Sequence, residues 1–218
     1  PLIARMTDSS DFTLRDLRER ARPMSLYLAI PFGDQERLRV LSRLILRQVL
    51  DYCVSKKEGW THRLLGMIDE VPGLKRLSIL TDGLNYFAGY GVRLALITPS
   101  MKELVDTYGV NHNFLEGCKV QMVFGMYDAK VADVFSARVG QTEVKKTRQM
   151  GRQRVTEKVQ EPLLSPTALM ELSGEQALVI VDRHKVLAKK TYYKANAVWA
   201  ARSQGTYTEE MAHGTHSV

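Results

Sequence analysis

The sequence predicts an α/β protein, a parallel sheet flanked by helices with a β-hairpin near the C-terminus. Met24–Ile30, Leu64–Ile68 and Gly91–Ile97 are runs with few or no polar residues, as strands covered on both faces are. Stretches with apolar residues every three to four positions separate such runs. Strand and helix therefore alternate, the order of a parallel sheet with right-handed crossovers.

Residues 1–23 are polar and mixed in sign and read as a connector. Met24–Ile30 reads as a buried strand stopped by Pro31, Phe32 and Gly33. Asp34 can cap a long amphipathic helix to about Ser55, with Leu38, Leu41, Leu44, Ile45, Val49 and Tyr52 on its apolar stripe. Its interspersed arginines read as a solvated face. The apolar run through Leu64–Ile68 ends in Asp69 and Glu70, and Val71-Pro72-Gly73-Leu74 turns the chain. Leu77–Tyr90 reads as a helix ended by Gly89 and Gly91. Ser100-Met101-Lys102-Glu103 is a capping box for a helix to about Gly109, after the strand Gly91–Ile97. Lys119–Phe124 reads as a fourth strand of the same sheet, and Asp128 caps a helix to about Val139.

The texture changes after Gly140. Glu143–Gln160 is densely basic and reads as a solvated loop or edge hairpin, or as a phosphate-contacting element through Lys145, Lys146, Arg148, Arg152 and Arg154. Ser165-Pro166 opens a short helix to Leu172. Gln176–Val181 and Val186–Tyr193 suit a hairpin turning at Asp182–Lys185. Residues 196–218 are rich in small and polar types and are expected to be a disordered tail.

The 218 residues suffice for one large domain, and the 44% hydrophobic and 25% charged contents are those of a globular chain. No apolar stretch reaches the roughly 20 residues of a membrane helix, and no export signal is expected after Pro1. Cys53 and Cys118 have neither zinc-ligand spacing nor a disulfide pattern. The net charge of +7 favours polyanions such as nucleic acid, or an anionic membrane face. The five histidines lack partners at metal-ligand spacing, and Trp60 and Trp199 read as packing residues.

The acidic tip at Asp69 and Glu70 is the candidate site. Ligands of parallel sheets sit beyond the strands' carboxyl ends. Adjacent carboxylates there have the form of a Walker B strand, the first holding Mg²⁺ and the second polarising a water.

Met67-Ile68-Asp69-Glu70-Val71-Pro72-Gly73-Leu74, then Leu84-Asn85-Tyr86-Phe87-Ala88-Gly89-Tyr90-Gly91-Val92, resembles the VirD4/TraG coupling proteins of bacterial conjugation and type IV secretion. Arg22–Leu28, Tyr108–Cys118, Glu161–Pro166 and Lys189–Tyr193 agree, and the resemblance covers roughly residues 1 to 195. It implies that residues 24–195 are the C-terminal part of a RecA-like P-loop NTPase domain using ATP and Mg²⁺. It also implies a hexamer at the cytoplasmic face of the bacterial inner membrane. Such a motor hands DNA or secreted protein to a type IV secretion channel, with relaxosome or channel components as partners. Asp69 would be the Mg²⁺ carboxylate and Glu70 the catalytic, water-activating base.

Three departures qualify the resemblance. No GxxxxGKS or GxxxxGKT phosphate loop occurs in the chain. Members of the family carry that loop, and membrane helices, upstream of the matched part, so a C-terminal fragment is expected, with membrane attachment only through a segment outside this chain. The family usually presents a glutamine where Pro99 stands, which leaves γ-phosphate sensing lost or moved to Thr98 or Ser100. Gln121 stands where related proteins often have arginine, which leaves a trans-acting arginine finger in doubt, with Lys119 a poorer substitute. The competing expectation is a degenerate RecA-like module that recruits substrates or partners without hydrolysing ATP.

Overall fold

The computed structural model describes residues 9–150 and 153–204. The chain divides into two compact units, Pro1–Cys118 and Lys119–Val218.

In the first unit, α1 (Asp16–Glu19) precedes α2 (Gln35–Cys53), β1 (Leu64–Ile68), α3 (Ser78–Gly83), β2 (Val92–Leu96), α4 (Met101–Tyr108) and α5 (Phe114–Gly117). Strands β1 and β2 pair in parallel, in register from Leu64 opposite Val92 to Ile68 opposite Leu96. Leu50 and Cys53 of α2, Leu80 of α3, Phe87, Val92 and Leu104 of α4 are buried in one core. That apolar burial, at roughly 25 cal/mol per Å², holds the helices on the strand pair.

Two expectations are corrected in this unit. The single helix predicted over Leu77–Tyr90 ends at Gly83, and a 3₁₀ turn follows at Phe87–Tyr90. A Cβ on Gly83 would stand 2.2 Å from the Phe87 ring, so the chain bends to seat Phe87, 2% exposed, on a bare glycine. Met24–Ile30, predicted as a buried strand, is extended but joins no sheet among the described residues, and Tyr27 is 86% exposed. Its composition suits a strand, but composition supplies no neighbour, and a strand exists only through its ladder.

The second unit contains β3 (Val120–Val123), α6 (Ala129–Val139), β4 (Gln141–Met150), β5 (Gln153–Pro162), α7 (Pro166–Met170), β6 (Gln176–Val181), β7 (His184–Lys189) and α8 (Ala197–Gln204). Here β3 departs from its expected place in a parallel sheet. It pairs antiparallel with β6, Val120 opposite Val181, in a sheet ordered β3-β6-β7. The partner lies some 55 residues along the chain, beyond the reach of local periodicity. The β6–β7 hairpin turns through Asp182 and Arg183, with Asp182 left-handed at φ 49°, as two-residue hairpin loops require.

Strands β4 and β5 form a separate two-stranded ribbon, Gln141 opposite Pro162 through Met150 opposite Gln153. At ten residues a strand it is about 34 Å long. Ser165 caps α7 by accepting from the Ala168 N–H at 3.1 Å. The predicted tail begins as helix α8, whose Trp199 N–H donates to the Asn196 side chain at 3.2 Å. The expected disorder at 205–218, like Arg152, lies outside the described residues. No helix among the described residues is long and apolar enough to cross a membrane.

Candidate functional site

Strand β1 ends where the sequence places its carboxylates, and its geometry there is irregular. The Ile97 N–H donates to the Ile68 carbonyl at 2.9 Å, and the Ile97 carbonyl accepts from the Val71 N–H at 3.0 Å. A regular parallel ladder closes that pair of bonds on residues two apart; here they are three apart. The extra residue is absorbed at Glu70, which takes a left-handed conformation, φ 52° and ψ 51°. Strained backbone of this kind in a non-glycine residue is concentrated at functional sites. One bulge thus re-aims two adjacent carboxylates that a regular strand would send to opposite faces.

The surroundings hold that bulge in place. Asp69 Oδ1 accepts from the Glu70 N–H at 2.9 Å. Val71 and Pro72 are buried and start a 3₁₀ turn to Leu74, whose carbonyl accepts from Arg43 Nη1 at 3.0 Å. Asp69 and Glu70 remain exposed at the mouth of a cavity of about 380 Å³. Leu28 and Ile30 line its apolar side, and Gln35, Arg39 and Ser42 of α2 its polar side.

Arg39 and Arg43 are therefore more than the solvated face read from the sequence. The missed signal was the spacing of Gln35, Arg39, Ser42 and Leu46, which keeps one stripe of α2 on the cavity. The candidate sensor hydroxyls are both engaged locally. Thr98 Oγ1 donates to the Ser100 carbonyl at 2.9 Å, and Ser100 Oγ caps α4 by accepting from the Glu103 N–H at 3.1 Å. Neither lines the carboxylate cavity.

The candidate nucleic-acid residues sit on the β4–β5 ribbon, and the register divides them. Lys145 and Lys146 fall on opposite faces, and the side chains of Arg148 and Arg154 lie outside the described residues. Lys146 pairs with Glu161, while Lys158, opposite Lys145, pairs with Glu143 at 2.7 Å. Among the ribbon's described side chains, Lys146 and Lys158 are thus each paired with an acid. Gln121, where an arginine was expected, accepts from Arg138 Nε of α6 at 3.2 Å. No cluster of three or more metal-ligating side chains occurs among the described residues.

A parallel strand delivering paired carboxylates to its carboxyl tip, with helices packed on it, defines a RecA-like P-loop NTPase core. The family model described as "Type IV secretory system Conjugative DNA transfer" matches residues 1–214, and the chain belongs to that family. It is 28% identical to the conjugal transfer protein TraG of Escherichia coli, over 93% of this chain and 37% of that protein. It is 30% identical to VirD4 of Rhizobium radiobacter, over 65% of this chain and 21% of that protein. Among solved structures, the plasmid coupling protein TrwB in complex with ADP and Mg²⁺ superposes with a TM-score of 0.67 at 25% identity, covering 83% of this chain and 42% of that one. TrwB with the ATP analogue ADPNP gives 0.68 at 26% identity, over 82% and 42%. The chain thus spans well under half the length of the relatives it matches.

Proposed function

We propose that this chain supplies the Walker B half of the ATP site of a coupling-protein motor that drives DNA or protein into a type IV secretion channel. The observation that carries the reading is the Asp69–Glu70 pair on its bulge at the tip of β1, in a chain of this family. Two carboxylate oxygens suit Mg²⁺, which takes one or two protein carboxylates and completes its shell with phosphates and water. The metal half of the site fits the residues present. The phosphate half does not, because the chain has no glycine-rich lysine loop, so that cradle comes from residues outside it.

Asp69 would hold Mg²⁺, which neutralises charge on the transferring phosphoryl group when bound. Glu70 is the general base, orienting a water and accepting its proton at a carboxylate oxygen. Arg39, on the cavity wall, adds a fixed positive charge facing the phosphates. Exposed apolar side chains on β1, Leu65 at 63% and Met67 at 69%, support a sheet completed by further chain, since parallel strands are ordinarily covered on both faces. The complete motor is a homo-oligomer, hexameric by resemblance, at the cytoplasmic face of the inner membrane. It is held there by a segment outside this chain and meets relaxosome or channel components.

One observation favours a second reading, a recruiting module that binds without hydrolysis. The Thr98 and Ser100 hydroxyls are committed to the α4 cap and its approach, and Pro99 between them has no donor. Glu70→Gln in the complete protein separates the two. Loss of ATP hydrolysis and of transfer supports the motor, whereas transfer at the unaltered rate establishes the recruiting module instead.

A further inference from the structure

The amino-terminal ends of β1 and β2, opposite the carboxylates, frame a second cavity of about 470 Å³. Four cations, Arg18, Lys57, Arg63 and Arg93, line it against a single acid, Glu58. Among the described residues none of the four forms an ion pair with a carboxylate. Elsewhere in the unit the chain pairs its charges freely, as Arg47 with Asp51 and Lys102 with Asp106, each at 2.6 Å.

Arg18 forms the back wall and is only 1% exposed. Its Nη1 donates to the Cys53 carbonyl at 2.7 Å and its Nε to the His62 carbonyl at 3.1 Å, and the guanidinium lies 4.2 Å from the centre of the Trp60 ring. Lys56 is also 4.2 Å from that ring, so Trp60 is occupied by cations and offers no free stacking face. The Cys53 carbonyl ends α2, where the helix carries about half a negative charge, a partial offset for Arg18. Burial still outweighs every favourable neighbour and pulls the Arg18 guanidinium below its ordinary value. Gly91, at φ 71°, closes directly against Arg18, and a Cβ there would stand 2.9 Å from Arg18 Nη2. Arg63 and Arg93 remain exposed in front of this wall. Arg93 is steadied by donating from Nη1 to the Ala88 carbonyl at 3.1 Å.

A buried cation without a counter-charge is costly, and three exposed cations around it repel one another. An anion in the cavity answers both, and two guanidinium forks favour phosphate, which they bind through paired N–H donors. The volume exceeds that of a bare anion and admits the sugar attached to a phosphate ester. We propose that this cavity is a phosphate-ester site, distinct from the carboxylate cavity, in which Arg63 and Arg93 grip the phosphate and Arg18 supplies the charge behind it. Nucleic-acid backbone and free nucleotide share that chemistry.

Phosphate binding in this cavity is independent of hydrolysis at Glu70. The test is binding of a fluorescein-labelled thymidine dodecamer by anisotropy, and of AMP by calorimetry, to the 218-residue chain and its R63Q/R93Q variant. Binding of at least one probe falls at least about tenfold in the variant. For the dodecamer, the slope of log K against log salt shrinks by about 0.7, the value for one single-strand phosphate contact. Loss with the dodecamer alone assigns the site to nucleic acid, and loss with AMP assigns it to a free nucleotide. R63K/R93K retains most of the affinity, and circular dichroism monitors the fold, with single variants read the same way where the double does not fold. Unchanged binding of both probes in R63Q/R93Q, no binding by the unaltered chain, or loss confined to a K145Q/K158Q ribbon variant overturns the proposal.

Discussion

Val71 and Ile97 are joined by a hydrogen bond of 3.0 Å from the Val71 N–H to the Ile97 carbonyl, and that bond closes the bulge carrying Asp69 and Glu70. Because the closure forces Glu70 into the left-handed region, side chains respond there according to their tolerance of positive φ. Left-handed backbone costs about 1–2 kcal/mol for an ordinary residue, and glycine returns roughly 0.5–1 of that as lost chain entropy. Glu70→Gly is expected to hold or raise stability by up to about 1 kcal/mol, and Glu70→Val to lower it, because a β-branched residue at positive φ is a steric outlier. Urea denaturation of the two variants distinguishes them, and equal midpoints would show that Glu70 carries no strain.

Gly91 faces the same conformational demand with an added obstacle. Gly91→Ala places a methyl against Arg18 Nη2, which two backbone carbonyls and the Trp60 ring hold in place. The expected loss is about 2–3 kcal/mol, of which ~1–2 is backbone strain. Combining it with Arg18→Ala removes the clash but not the strain, so a double-mutant cycle should show coupling of at least about 0.5 kcal/mol. Strict additivity would mean that the two residues do not meet.

Ser100 is a cap in this structure. Ser100→Ala is expected to cost about 1 kcal/mol and Ser100→Asp almost nothing, because aspartate accepts the same N–H. Neither change should alter nucleotide affinity of the complete protein. A large affinity loss in Ser100→Asp, with stability intact, would restore the sensor role.

His112 gives the fold a pH dependence. Its imidazole is held below its ordinary value of 6.5 chiefly by burial, and its Nδ1 is buried without a hydrogen-bond partner. The folded state therefore binds fewer protons than the unfolded state below about pH 6.5, and stability rises with pH across that window. Acidification from pH 7 is expected to lower the thermal midpoint, and His112→Gln to flatten that part of the profile. An unchanged slope in the variant would assign the acid sensitivity to other groups.

The carboxylate pair was legible because its signal is local. An apolar run, two acids and a proline turn are contiguous, and the parallel sense of β1 and β2 follows from two similar runs joined by a helical segment. Much of what escaped prediction depended on packing partners that the local pattern does not name. Strand β3 finds its neighbour in β6, and Arg39 reaches the cavity because α2 packs beside β1. Gly83 ends α3 because a ring four residues later needs the space of its missing side chain. The bulge itself was invisible, since nothing in Asp69-Glu70 announces that Glu70 will be left-handed. The basic stretch after Gly140 was read as a loop or an edge hairpin, or as a phosphate-contacting element, and the ten-residue pairing of β4 with β5 makes it a hairpin. The basic cavity escaped altogether because its cations come from three separate places in the chain, Arg18, the Lys57–Arg63 segment and Arg93.

The extended segment 24–30 has a consequence for handling and for survival of the chain. Met24-Ser25-Leu26-Tyr27-Leu28-Ala29-Ile30 is seven residues without charge or proline, and most of it is exposed. Such windows are the signature of segments that stack into cross-β fibrils. A strand paired over this segment would shield it from other copies of the chain. In its absence, seeded, concentration-dependent fibril growth competes with the native state, and an aspartate at Leu26 or Leu28 is the shortest route to suppressing it.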